Sequence, residues 1–176
     1  EPIEIIDYPK VSGNSLFGET IGGQYYKLIR PGAGTGCYGE IWIASSPDLI
    51  HWGQYRHFLS PGYTSGWNGQ KIGPTPPVKT SRGWLEIVHG VQTPCDGSHY
   101  YIGAVLMDLE EPWKIIGHTA GYLLAAEAPY ECVGRVAHAV FPCGVLVDEE
   151  TDEFRLYYGA ADTCVALATG KLSEVI

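Results

Sequence analysis

The stretch Tyr25-Tyr26-Lys27-Leu28-Ile29-Arg30 begins a pattern that occurs three times in this chain. Its mixture of aromatic and aliphatic residues is typical of a short β-strand. The same mixture occurs again in Trp84-Leu85-Glu86-Ile87-Val88-His89 and in Phe154-Arg155-Leu156-Tyr157-Tyr158-Gly159. After a polar or glycine-rich turn, a second strand follows each copy, at Ile41-Trp42-Ile43-Ala44, Ile102-Gly103-Ala104-Val105 and Val165-Ala166-Leu167-Ala168. The first strands begin 59 and then 70 residues apart. Such a period indicates a repeat architecture, and the blades of a β-propeller fit it.

The repeat predicts an all-β fold and a single domain over residues 1–176. The three units span roughly residues 15–60, 82–118 and 136–176. Because a propeller needs about four to eight blades to close, we expect the chain to supply three blades of a larger ring. Residues 1–14 are expected to lead into the first unit, with a strand at Ile3–Ile6. The segment Lys171–Ile176 is the best helical candidate, and it is short.

The composition excludes several classes of protein. With a net charge of −9, the chain lacks the basic surface that nucleic-acid binding requires. It contains no apolar run of the length that spans a membrane and no signal-peptide pattern. The chain begins at Glu1 without a methionine, so we expect it to be processed, trimmed or incomplete at that end.

The cysteine pattern predicts neither a metal site nor a disulfide framework. The chain contains Cys37, Cys95, Cys132, Cys143 and Cys164, an odd number with no Cys-x-x-Cys pair. Zinc sites need closely spaced ligands, which this pattern lacks. We expect all five to be structural thiols of a reducing compartment, with Cys143 and Cys164 packed as small hydrophobic residues. A cysteine nucleophile is the less favoured alternative.

The ends of the repeated strands nominate the candidate functional residues. Arg30 and His89 close the first strand of successive units, and Asp162 follows the equivalent point of the third. Lys71 lies in the long connection at residues 61–80, a length that favours a functional loop. Because inner strands of a propeller converge on a central funnel, Arg30, Lys71 and His89 are expected to form an anion site.

Each candidate also has a structural interpretation, and the sequence leaves both open. Arg30 and Lys71 are residue types that are often merely solvated at strand ends. His89 fits a hydrogen-bonded core histidine, and Asp162 fits a residue that caps a turn. Asp48, in Ser46-Pro47-Asp48-Leu49-Ile50-His51-Trp52, is favoured as a turn cap rather than a catalytic group.

Most of the aromatic residues are expected to pack in the core. The candidates for stacking on sugar rings at the mouth of the funnel are Tyr100, Trp67 and Tyr130. A pyranose has an apolar CH face and a polar rim, which suits an aromatic side chain with a polar end.

Six motifs in order resemble one known family. They are Ser46-Pro47-Asp48-Leu49-Ile50-His51-Trp52-Gly53, Lys71-Ile72-Gly73 with Pro76-Pro77, Gly83-Trp84-Leu85 with His89-Gly90-Val91, Tyr100 with Gly103-Ala104, Val140-Phe141-Pro142-Cys143-Gly144, and Tyr157-Tyr158-Gly159-Ala160-Ala161-Asp162-Thr163. Over roughly residues 10–176, this series is similar to the C-terminal half of glycoside hydrolase family 130, the β-mannoside phosphorylases and related β-mannosidases. The first motif alone occurs in several five-bladed sugar enzymes, whereas the ordered series is specific.

The resemblance implies a five-bladed β-propeller and a glycoside phosphorylase. Such an enzyme cleaves a β-mannoside with inorganic phosphate as co-substrate and gives mannose 1-phosphate with inversion, without a further cofactor. By matching position, Arg30, Lys71, His89 and Tyr100 are expected at the phosphate, and Asp162 at the mannosyl unit. The physics agrees, since phosphate replaces the activated water of an inverting hydrolase and requires cations there. The family's general-acid Asp lies in its N-terminal half, so no catalytic acid is assigned in this chain.

Two departures from the family pattern bear on the reaction. Ser12 stands near the place of a second phosphate arginine, and His138 stands where the family has an asparagine before Val-Phe-Pro. The first departure weakens the expected phosphate site. Two alternatives to the phosphorylase therefore stay open: a β-mannosidase on the same scaffold, and a truncated, non-catalytic propeller fragment that binds sugar.

Partners and location follow from the same reasoning. We expect a β-mannosyl oligosaccharide and phosphate as ligands, and neither nucleic acid nor a membrane. Three blades leave exposed strand edges and faces, so we expect the chain to form homo-oligomers or to associate with an N-terminal half. A cytoplasmic location is expected because the thiols are reduced and phosphate is a cytosolic co-substrate.

Overall fold

Three antiparallel sheets make up the described part of the fold. The computed structural model describes Asp7 and residues 10–34, 36–63 and 66–176, so the strand expected at Ile3–Ile6 lies outside the described residues. The first sheet has the order β1 (Val11–Leu16), β2 (Tyr25–Pro31), β3 (Ile41–Ser46) and β4 (Gly53–Leu59). The third has the order β11 (Val140–Asp148), β12 (Glu153–Ala160) and β13 (Cys164–Lys171).

The second sheet is built around two long central strands, β7 (Gly83–Gln92) and β8 (His99–Met107). The shorter strands pair at their flanks: β5 (Lys71–Pro74) and β6 (Val78–Thr80) with β7, and β9 (Ile115–His118) and β10 (Leu124–Ala125) with β8. The all-β class is thus confirmed, and the three repeated strand pairs are β2–β3, β7–β8 and β12–β13.

Within the described residues, helical structure is confined to two short segments. A one-turn helix, α1 (Pro129–Cys132), lies in the connection between β10 and β11, and a 3₁₀ turn at Leu172–Glu174 occupies the predicted helical candidate. The buried carboxylate of Glu131 explains α1, because it accepts the backbone N–H groups of Glu127 and Ala128 and a 2.5 Å hydrogen bond from the Tyr158 hydroxyl. None of the helices in the described ranges is long and apolar enough to cross a membrane.

Two hydrophobic clusters hold the sheets together, and β7 contributes to both. Trp84 and Val88 point into the cluster shared with the first sheet, where Phe17 meets Trp84 edge to face at 5.0 Å between ring centroids. Leu85 and Ile87 point to the opposite side, into the cluster shared with the third sheet. Because successive side chains of a strand alternate between faces, one strand buried on both faces joins the three sheets.

Aspartates at the ends of the repeat units organise the turns. Asp48 accepts the N–H groups of Ile50 and His51, so the structural interpretation of this residue is confirmed. Asp108 accepts the N–H groups of Glu110 and Glu111 in the same way. These bonds to the charged form hold the pKa of both carboxyls below the ordinary 3.8.

All five cysteines lie in the described part of the chain, and no disulfide joins them. The expectation that Cys143 and Cys164 pack as small hydrophobic residues is wrong. Both lie on strands of the third sheet with their side chains exposed. Cys143 lies at the bulge of β11 between Pro142 and Gly144, and Cys164 is the first residue of β13, so the packing of the cluster shared with the second sheet does not extend to either side chain.

A carboxyl group is buried inside the second sheet at Glu86. It is fully buried on β7, and its Oε1 atom accepts the backbone N–H of Thr75, 2.7 Å away, just beyond β5. Burial raises the pKa of Glu86 well above its ordinary value of 4.5, although the bond from Thr75 opposes this. The group is therefore a neutral acid that fixes the end of β5 to β7.

Glu86→Gln in the full-length protein is expected to stabilise it increasingly as the pH rises. The folded state keeps a proton that the unfolded chain releases above pH 4.5, so the wild type loses roughly 1.4 kcal/mol of stability per pH unit from there up to the folded-state pKa. Glutamine keeps the bond to Thr75 and does not titrate. The difference in unfolding free energy between variant and wild type, measured with urea, should widen from pH 4 to pH 8. The exposed Glu150→Gln serves as control, and a pH-independent difference for Glu86→Gln would contradict the assignment.

Candidate functional site

The candidate site lies where the inner strands of the sheets approach one another. β5 packs against β1 and β2 of the first sheet, and β11 of the third sheet packs against β7 and β8. Lys71 begins β5, Arg30 lies near the end of β2, and His89 lies on β7. The packing of three sheets thus brings together residues that are far apart in the sequence.

Arg30 and His89 are in direct contact. The guanidinium Nη1 lies 3.1 Å from Nε2 of His89, and Nη2 donates a long 3.5 Å hydrogen bond to the carbonyl of Ser12. Gly73 pairs with His89 across β5 and β7. A Cβ atom at Gly73 would lie 2.1 Å from the imidazole and 2.9 Å from Nη1, so only glycine leaves room for this contact.

Lys71 and Tyr100 extend the cluster. The Lys71 ammonium donates a 3.1 Å hydrogen bond to the Tyr100 hydroxyl and lies 5.2 Å from the centre of its ring. The Tyr100 ring is 5.8 Å from the imidazole of His89. Four of the five candidates from the sequence, Arg30, Lys71, His89 and Tyr100, therefore form one contiguous cluster.

His89 is the neutral member of this cluster. Only 2% of the residue is exposed. Burial, together with the positive charges of Arg30 and Lys71, lowers the pKa of His89 from 6.5 to about 3. The structure therefore corrects the expectation of three cations: two positive charges surround an uncharged imidazole.

A cleft of ≈ 250 Å³ opens beside the cluster, and the fifth candidate, Asp162, lines it. Its walls are formed by Tyr100, Val136, Ala139, Phe141, Gly159 and Asp162. Tyr100 belongs to both the cluster and the cleft wall, and the Phe141 ring of the cleft lies 4.4 Å from the His89 ring of the cluster between centroids. The cleft combines an apolar floor with polar groups at its edge, a combination that suits a pyranose ring.

Asp162 presents its carboxylate at this cleft from an unusual backbone. Ala161 and Asp162 both have a positive φ, +47° and +54°, which non-glycine residues adopt infrequently. The turn is closed by the Thr163 N–H and the carbonyl of Ala160. Among the described residues, the carboxylate of Asp162 makes only a loose contact, 3.8 Å from Nε of Arg135, so the turn-cap interpretation is not supported.

Sequence reasoning missed the histidine pair at this site. The rings of His99 and His138 stack in parallel at 4.4 Å, and the His138 carbonyl accepts the N–H of Tyr100. His138 also has a positive φ of +57°. The strand pattern gave no signal for this stack, because the two residues approach each other only when the second and third sheets pack together.

Two aromatic candidates for sugar stacking differ from Tyr100. Trp67 is buried over Gly90 and Gly103, where added Cβ atoms would lie within 2.6 Å of its ring, and is therefore not available to a ligand. Tyr130 is half exposed on α1 and does not line the cleft. In the part of the chain that the structure describes, no group of three or more His, Cys, Asp or Glu side chains is placed to hold a metal ion.

Comparison with known proteins places this site in a family. The model of glycoside hydrolase family 130, described as beta-1,4-mannooligosaccharide phosphorylase, matches residues 2–176. A beta-1,4-mannooligosaccharide phosphorylase of Ruminococcus albus is 42% identical over 163 residues, which cover 92% of this chain and 48% of the relative. A 1,2-beta-oligomannan phosphorylase of Thermoanaerobacter sp. is 36% identical over 172 residues, covering 97% of this chain and 54% of that protein.

The fold leads to the same family. The solved structure of a beta-1,2-mannobiose phosphorylase from Listeria innocua, in complex with beta-1,2-mannobiose, superposes with a TM-score of 0.86 at 36% identity. The match covers 97% of this chain and 47% of that structure. The chain thus spans about half the length of the relatives it matches. From the family model, the sequence identity and the superposition together, the chain belongs to glycoside hydrolase family 130.

Proposed function

We propose that this chain is part of a β-mannoside phosphorylase, which cleaves a β-mannosyl oligosaccharide with inorganic phosphate and releases mannose 1-phosphate with inversion. The observation that carries the proposal is the joining of a cationic cluster to a sugar-sized cleft. Arg30 and Lys71 supply two positive charges, and Tyr100 and Phe141 continue directly into the cleft that ends at Asp162. The named phosphorylases among the relatives support it.

The chemistry of each side chain suits its proposed role. The planar guanidinium of Arg30 and the ammonium of Lys71 are the groups that bind phosphate oxygens with charge-assisted hydrogen bonds. Tyr100 accepts a hydrogen bond from Lys71, so its own O–H is left to donate to phosphate or sugar. Asp162 offers two acceptor oxygens to the hydroxyl groups of the mannosyl ring. Inorganic phosphate is the co-substrate, and we propose no further cofactor.

The reaction that fits this arrangement is a direct displacement. Phosphate held by Arg30 and Lys71 attacks the anomeric carbon, while an acid on the opposite face protonates the leaving oxygen. We propose that an Asp outside residues 1–176 supplies this acid. Within the chain, the anion cluster lowers the barrier because its donors are fixed before the substrate arrives.

We further propose that the three sheets are three blades of a five-bladed β-propeller, with the whole chain forming one domain of it. Support comes from the repeated strand order and from an apolar face of the third sheet that the described residues leave uncovered. That face is formed by Leu146, Tyr157, Val165 and Leu167, all of them exposed. We propose that this face receives the remaining blades. A cytoplasmic enzyme is consistent with the five thiols.

One observation favours a second function, a β-mannosidase on the same scaffold. Ser12 lies beside the guanidinium of Arg30, so the position next to the cluster carries a neutral residue. With two positive charges, the site holds phosphate less tightly than a site with a third cation would, and water then competes as the nucleophile.

The test of the proposed function is an assay of the full-length protein on β-1,4- and β-1,2-mannobiose and on mannosyl-glucose, with and without phosphate. Mannose 1-phosphate that forms only with phosphate supports a phosphorylase. Free mannose without phosphate would replace the proposal by the mannosidase. Sugar binding without turnover of any substrate would indicate that the protein is a non-catalytic sugar-binding module.

Lys71→Ala is expected to slow phosphorolysis because it weakens the binding of phosphate. Removing a charge-assisted hydrogen bond costs about 1.5–3 kcal/mol, so kcat/KM for phosphate should fall by roughly 10- to 150-fold. Initial rates at varied phosphate measure this effect. Lys79→Ala, an exposed lysine paired with Glu19, is the matched control and should leave the kinetics unchanged. An unaltered phosphate dependence in Lys71→Ala would remove Lys71 from the site.

Asp162→Asn is expected to weaken the binding of the mannoside rather than that of phosphate. The amide keeps the shape of the side chain but loses the negative charge and one acceptor, so KM for the mannoside should rise while KM for phosphate stays within about twofold. The two constants are measured by varying each substrate at saturating levels of the other. Asp148→Asn, on the far end of β11, is the control. An effect on KM for phosphate alone would contradict the assignment of Asp162.

Residues 1–176 alone are expected to self-associate through the uncovered face of the third sheet. An apolar surface of several large side chains is an association site, so light scattering should report oligomers. The double substitution Val165→Thr with Leu167→Thr should shift the distribution towards monomer. Leu16→Thr, at an exposed leucine of the first sheet, should not. A monodisperse, monomeric wild-type chain would argue against an uncovered blade.

A further inference from the structure

The contact between Arg30 and His89 fixes the protonation of the imidazole. All five polar hydrogens of a guanidinium are donors, and it has no acceptor. At 3.1 Å from Nη1, the Nε2 atom of His89 must therefore offer its lone pair. The ring proton then resides on Nδ1, which is buried and has no hydrogen-bond partner among the described residues, and the ring is uncharged.

The surroundings of His89 oppose any second proton. Arg30 faces it from β2, Lys71 from β5, Tyr100 from β8 and Phe141 from β11. Two of these groups are cations, and no carboxylate among the described residues contacts the ring. Gly73 closes the remaining side so tightly that no Cβ atom fits there. The imidazole is thus enclosed on the strand side by backbone and on the site side by positive charge.

We propose that His89 is a positioning residue, which accepts a hydrogen bond from Arg30 as a neutral imidazole and aims the guanidinium at the anion, while Arg30 and Lys71 alone supply the positive charge. The identification of that anion as phosphate rests on the proposed function; the protonation and the positioning do not. The role differs from that of a cationic phosphate ligand, which the sequence pattern suggested for His89.

The geometry explains why Arg30 depends on this contact. Its Nε atom is buried, and among the described residues it has no hydrogen-bond partner, and the bond from Nη2 to Ser12 is long. The bond to His89 is therefore the shortest one that orients the guanidinium. Because a bidentate contact with phosphate requires a fixed planar fork, loss of the acceptor at residue 89 should affect phosphate binding more than the chemistry of the sugar.

The kinetic test compares His89→Gln with His89→Leu in the full-length protein. The amide oxygen of glutamine can still accept from Arg30, so its KM for phosphate should stay within about threefold of the wild type, whereas leucine should raise it by roughly 10-fold or more, the loss of one hydrogen bond to a charged group. KM for the mannoside should not change in either variant. Equal losses in both variants would overturn the positioning role, because a cationic ligand is not replaced by glutamine.

A spectroscopic measurement keeps the inference testable even if a variant fails to fold or no phosphorolysis is found. The ¹⁵N chemical shifts of His89 in the anion-free wild-type protein report the tautomer directly, and whichever of His89→Gln and His89→Leu folds serves to assign the signal. We expect the neutral form with the proton on Nδ1 throughout pH 5.5–8. An imidazolium signal, or a proton on Nε2, within this range would overturn the proposal regardless of activity. Absence of phosphorolysis with the expected shifts would refute only the proposed function.

Discussion

The close approach of Gly73 to His89 is the constraint on which the site depends. β5 can bring Lys71 beside Tyr100 only because Gly73, two positions further along the strand, has no side chain. The same gap admits the guanidinium of Arg30 from the first sheet. An alanine there would separate β5 from β7 or displace the imidazole, and either movement would separate the two cations. Glu86 holds the other end of β5 through Thr75, so both ends of this four-residue strand are fixed to β7.

A protein with a net charge of −9 can contain a cationic site because its carboxylates are used elsewhere. Asp48 and Asp108 bind backbone N–H groups at the ends of the repeat units. In the third unit Lys171 stands at the equivalent position, and Asp152 of the preceding hairpin supplies the missing carboxylate to Ser173. These three carboxylates bind N–H and hydroxyl groups of nearby turns, and among the described residues no carboxylate forms an ion pair with Arg30 or Lys71.

Whether the sequence predicts a feature of this molecule depends on how far apart in the chain the interacting residues lie. The repeated strand pairs and the turn role of Asp48 were predictable, because they depend on alternation and on hydrogen bonds within a few residues. The repeat register also placed Arg30 and His89 together, since equivalent positions of successive units converge. The neutral state of His89 and the stack of His99 on His138 were not predictable, because burial and contacts between sheets decide them.

The electrostatics of the cluster also constrain the rest of the proposed mechanism. A general acid must hold its proton until the glycosidic oxygen needs it, and a carboxyl beside Arg30 and Lys71 would lose that proton because neighbouring cations lower its pKa. The acid therefore belongs on the opposite side of the sugar ring, shielded from the cations by the substrate. Inverting enzymes that activate water place their two carboxyl groups about 6.5–9.5 Å apart to admit the nucleophile, and phosphate requires a comparable gap. In the proposed mechanism, Arg30 and Lys71 lie on the nucleophile side of this gap, and Phe141 and Tyr100 line the cleft. In the proposed mechanism, the group that protonates the leaving oxygen therefore belongs to chain outside residues 1–176.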